Sequence, residues 1–129
     1  MGIKSEVPSE LLNEKLRGQK NAEINVAVLS EQLSKGQQCL SAERIIALSD
    51  ESTKAKIRIR IKSDSYAFQS YARVDVYSPA TLAWNQIGEI PYANMSTPFK
   101  LGYKRGAGIE LFEADFAKLV EQAKIILFD

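Results

Sequence analysis

The chain has 129 residues, a formal net charge of +1, a single cysteine and no histidine, and 45% of its residues are hydrophobic. That length sets the expectation of one domain over residues 1–129, able to bury roughly two thirds of its unfolded surface. Without histidine, Ser-His-Asp and Cys-His catalysis lack their base, and one cysteine leaves too few ligands for a zinc centre.

Residues 1–50 read as mainly helical. Leu11, Leu12 and Leu16 fall on one face of a short helix starting near Pro8, a residue tolerated in a first turn. Ala22, Val26, Leu29 and Leu33 then recur at amphipathic-helix spacing, with Gly36 as the stop. Alternation of Ile24, Val26 and Val28 is the competing strand reading, and the longer period favours the helix. Ser41 to Leu48 reads equally as a third helix capped by Ser41 or as an extra strand. A helix-turn-helix over residues 26–48 is disfavoured: Lys35 falls where such a turn buries an apolar residue, and the second helix would offer Arg44 alone for base contacts.

Residues 54–92 read as an antiparallel meander of three or four strands. From Lys54 to Lys62 the alternation is unbroken, with Ala55, Ile57, Ile59 and Ile61 on one face and Lys54, Lys56, Arg58, Arg60 and Lys62 on the other. Period two with one apolar and one charged face marks a strand that covers a core on one side only. Ser63-Asp64-Ser65 supplies a turn. From Tyr66 to Tyr77 alternation resumes, with Tyr66, Phe68, Ser70, Ala72, Val74 and Val76 on the inner face. Leu82 to Ile90, with Trp84, forms a third strand. Residues 91–108 hold two of the four prolines and three of the seven glycines and read as a connection. Phe112, Phe116, Leu119, Val120, Ala123 and Leu127 then share one stripe of a closing helix over residues 109–128. The fold class is therefore α+β: an N-terminal helical segment, a central antiparallel meander, and a C-terminal helix packed on one sheet face.

The row Lys54, Lys56, Arg58, Arg60, Lys62 is the feature most able to carry function. Five cations at about 6.6 Å per residue pair make a row of roughly 26 Å. Keeping both apolar faces on one side requires even residues of the first strand to oppose odd residues of the second. A four-residue loop would put Arg58 opposite Tyr71, Arg60 opposite Gln69 and Lys54 opposite Asp75. Tyr71, Arg73 and Tyr77 then join the row, and cations interleaved with rings suit single-stranded nucleic acid. Residues 54–76 carry six Lys and Arg against Asp64 and Asp75, so the near-neutral total conceals a positive face. Lysines and arginines are also ordinary on the solvent face of a sheet, and on an edge they discourage pairing.

Lys104 and Arg105 form a second candidate, in the segment Lys100 to Gly108, where glycines let backbone amides approach an anion. From Gly108-Ile109-Glu110-Leu111 into the closing helix, the chain resembles the end of the transcriptional coactivator and whirly type of single-stranded-DNA binders, without a specific motif. Cys39 lies near Lys35 alone among cations and reads as a small, partly buried hydrophobe.

No apolar run reaches the ~20 residues of a membrane span, and Met1 to Pro8 lacks a signal-peptide core. The expectation is a cytoplasmic, non-catalytic binding module without cofactor or metal, whose basic face engages a polyanion, nucleic acid being the sharpest version. The alternative is a protein-interaction module, an inhibitor or adaptor of the kind phages and mobile elements encode, using that face or the N-terminal helices. Reversing the charge of Arg58 and Arg60 is expected to weaken polyanion binding while leaving the thermal midpoint in place.

Overall fold

The computed structural model describes residues 23–96 and 108–129. Five strands, β1 (Asn25–Lys35), β2 (Cys39–Ser49), β3 (Lys54–Asp64), β4 (Tyr71–Ser78) and β5 (Ala83–Glu89), form one sheet in the order β1-β2-β3-β4-β5. Each strand is antiparallel to the next. A 3-10 turn over Ile109–Phe112 leads into α1 (Glu113–Phe128), which packs on one face of the sheet.

The alternation of β3 dictates that face. Ile57, Ile59 and Ile61 are fully buried, flanked by Leu40, Ala42, Ile46 and Leu48 of β2 and by Ala72 and Val74 of β4. Phe112, Phe116, Leu119, Ala123 and Phe128 cover them from the helix side. Full burial of each large side chain contributes about 1.5–3 kcal/mol, so this layer dominates the stability. Asp115 is buried in the first turn of α1, where the helix dipole favours a carboxylate. It accepts hydrogen bonds from the backbone N–H and hydroxyl of Ser96, tying the end of the β5 connection to the helix.

Three expectations are corrected. First, residues 25–35 are a strand, not a helix. The pairing with β2 slips between Val28 and Ser30, so Leu29 is an extra residue in a β-bulge. Alternation interrupted by a one-residue slip spaces Val26, Leu29 and Leu33 by three and four, which imitates a helical stripe. The expected helix around Leu11, Leu12 and Leu16 lies outside the described residues. Second, the sheet has five strands rather than three or four: residues 41–48, which read equally as helix or strand, belong to β2, and the disfavoured helix-turn-helix is excluded. Arg44 sits on the inner face among Ala42, Ile46 and Leu48, and that one charge masks the alternation.

Third, β4 begins at Tyr71, and Ala67–Gln69 is a 3-10 turn. The Asp64 carboxylate accepts the Tyr66 N–H, and the Ser70 hydroxyl accepts the Asp64 N–H. These local bonds compete with ladder pairing. Tyr66 and Phe68, expected on the inner face, are instead exposed, Phe68 by 83%.

Candidate polyanion-binding face

The outer face of the sheet brings together all eight residues expected there: Lys54, Lys56, Arg58, Arg60 and Lys62 from β3, and Tyr71, Arg73 and Tyr77 from β4. Lys104 and Arg105 lie outside the described residues. The parity expected of the hairpin is right and its register is not. Arg58 opposes Asp75, Arg60 opposes Arg73 and Lys62 opposes Tyr71, because the connection over residues 65–70 is longer than the assumed loop.

That register changes the electrostatics. Asp75 is 2% exposed and accepts from Arg58 Nε at 2.9 Å, Arg60 Nε at 2.7 Å and Arg60 Nη2 at 3.0 Å. Two of the five row cations therefore serve one buried carboxylate. Lys62 lies 3.4 Å from Asp64, Glu43 of β2 stands across from Arg60, and Glu89 of β5 stands across from Arg73. Lys54 and Lys56 instead have Ser49 and Ala47 across from them on β2. Lys54 and Lys56 are thus the row cations with no carboxylate across from them on β2, and Asp50 and Glu51 lie in the turn that precedes them.

Aromatic rings collect at the same end. Trp84 of β5 packs edge-on against Tyr77, with centroids 5.3 Å apart. Lys56 Nζ lies 4.7 Å from the Tyr77 centroid, and the Arg58 guanidinium lies 4.7 Å from that of Trp84. At the far end the Arg73 guanidinium sits 4.7 Å from the Tyr71 centroid. Trp84 was legible as a strand residue, but its membership of this cluster depends on β5 pairing Trp84 with Tyr77. Beside Tyr77, an open, mainly apolar hollow of about 530 Å³ is lined by Leu29, Ala47, Lys54, Lys56 and Pro79, within the size range of ligand clefts.

The inner face carries a separate charge cluster. Arg44 donates to both oxygens of Glu113 at 3.0 and 2.8 Å and to Glu31 at 3.1 Å, with its guanidinium 4.1 Å from the Phe116 centroid. The Glu113 bond raises the Arg44 pKa, and the Arg44 bond holds the Glu113 carboxyl below its ordinary value. This cluster fastens β1 and β2 to the start of α1.

No helix among the described residues is long and apolar enough to cross a membrane. No family model matches the sequence, and no curated protein or solved structure matches it.

Proposed function

We propose that the protein is a small, non-catalytic cytoplasmic binding module whose outer sheet face takes a polyanion, most directly single-stranded nucleic acid. The observation that carries this reading is the coincidence of exposed lysines, edge-packed rings and an apolar hollow at Lys54, Lys56, Tyr77 and Trp84. Each ring there already lies beneath a cation. An exposed cation–π contact is worth about 0.5–1 kcal/mol, whereas a base stacked on an aromatic side chain gives about 1–3 kcal/mol. Ligand entry therefore exchanges partners: Lys56 swings from the Tyr77 ring to a phosphate, and a base takes its place against the ring and the hollow. Arg58 stays on Asp75 and holds Trp84 in place.

An acidic protein surface is the second reading, favoured by the same exposed lysines. Fluorescence anisotropy with labelled single- and double-stranded oligonucleotides at low and moderate salt tests the proposal. Binding of the single strand with quenching of Trp84, the chain's sole tryptophan, supports it. Absence of binding at low salt overturns it and returns the lysines to a protein partner.

A further inference from the structure

α1 covers only part of the inner face of the sheet, packing mainly on β3, β4 and β5. Between its flank and β1 runs an apolar groove of about 280 Å³, lined by Val26, Val28, Ile46, Phe116, Ala117 and Val120. Val26 and Val28 stand across from buried Leu48 and Ile46 of β2, yet they are 47% and 50% exposed. Nothing among the described residues covers them. The next inward residue of β1 with a partner on β2 is Glu31, bound to Arg44, and the apolar stretch ends there. Apolar surface that continues a core layer is what a sheet buries beneath a further element.

We propose that residues 8–17 of the same chain fill this groove as an amphipathic helix running antiparallel to β1. Residues 1–22, outside the described residues, lead directly into that strand, and the chain enters it through Ile24, which is buried in the core. The occupant is therefore tethered beside the groove. A short tether gives an effective concentration of about millimolar, above that of a second copy at micromolar concentration. Residues 18–23 can span up to about 20 Å, enough for a helix to fold back over the strand it precedes. Leu11, Leu12 and Leu16 fall within an arc of about 140°, with Glu10, Glu14 and Arg17 on the opposite side. The spacings match: Leu12 and Leu16 are about 6 Å apart along a helix axis, and Val26 and Val28 about 6.6 Å apart along the strand. Folding back sets Leu16 over Val26 and Leu12 over Val28. Leucine burial carries the seating rather than charge, because the rim carboxylates Glu113 and Glu121 already hold Arg44 and Lys124. Lys15, the one charge within the leucine arc, has a stem long enough to reach past that rim to water. The groove lies on the face opposite Lys54 and Lys56, so the inference does not depend on the ligand of the outer face.

The test is disulfide trapping in the full chain, without nucleic acid, in a Cys39→Ser background. Leu12→Cys with Val28→Cys is expected to close an intramolecular disulfide under mild oxidation more than about tenfold faster than Asn13→Cys with Val28→Cys, since residue 13 points away from the groove on the same tether. Leu16→Asp alone should lower the thermal midpoint by about 5 °C or more. Equal rates for the two cysteine pairs, no disulfide in either, or a Leu16→Asp midpoint equal to that of wild type overturns the inference. Disulfide-linked dimers in place of the closed monomer also overturn it, by giving the groove to a second copy. None of these results bears on oligonucleotide binding by the outer face.

Discussion

Asp75 is the residue on which the outer face is organised. Buried between Arg58 and Arg60, it fixes both guanidinium groups, and through Arg58 it fixes the ring of Trp84. Breaking a buried ion pair by removing one partner leaves uncompensated charge in a poorly solvated site. Asp75→Asn is therefore expected to lose roughly 2–4 kcal/mol of stability in chemical denaturation. A loss near zero would show the carboxylate to be ordinary surface. The same contact corrects the expectation that reversing Arg58 and Arg60 leaves the thermal midpoint in place: two glutamates beside Asp75 would repel it, and the fold would suffer along with binding. Lys54 and Lys56, both exposed, are the residues to change instead. On the other face, the Glu113 carboxyl has its pKa lowered by Arg44. Its contribution is fully present above its ordinary value of 4.5 and is lost as pH falls below that through the depressed value in the folded protein. Thermal midpoints measured downward from pH 6 should therefore fall less steeply for Glu113→Gln than for wild type. Equal slopes would remove the pair from the account.

The elements differ in how plainly the sequence declares them. β3 was legible from Lys54 to Lys62 because every other residue there is charged, although Ser63 and Asp64, read as a turn, extend the strand and pair with β2; α1 was legible because Phe112, Phe116, Leu119 and Ala123 recur on one stripe and are buried together. β1 was misread and β2 left undecided, each through one residue: the bulge at Leu29 turns alternation into an imitation helix, and Arg44 puts a charge among inward-facing positions. The site was legible as far as its face but not its focus. Parity assigns residues to a face, whereas register decides which carboxylates stand beside which cations. Register was set by the Asp64 and Ser70 side-chain bonds in the connection to β4. The turn before β5 carries local strain of its own, since Leu82 adopts φ 56° while 76% exposed. A left-handed backbone costs an ordinary residue about 1–2 kcal/mol, and glycine returns part of that as chain entropy. Leu82→Gly is expected to raise stability by about 0.5–1 kcal/mol. A decrease would mean that Leu82 makes a contact its exposure does not suggest.

At the scale of the whole molecule, the near-neutral net charge is accompanied by an uneven pairing of cations and carboxylates across the strands of the outer face. Arg58 and Arg60 are tied to Asp75, and Lys62 to Asp64, while Lys54 and Lys56 stand without a carboxylate across from them on β2. A polyanion responds to that local field rather than to the total. The central claim is that Lys54 and Lys56 take phosphates while bases stack on the rings beside them. With Lys54 and Lys56 engaging phosphates, their share of the slope of log affinity against log salt for a single strand is about −1.4, roughly a seven-fold loss between 50 and 200 mM. The most direct measurement is that slope, for wild type and for the double variant Lys54→Gln, Lys56→Gln. The account predicts that the variant binds more weakly and that its slope is shallower by about one to two. Identical slopes and affinities for the two proteins would contradict it.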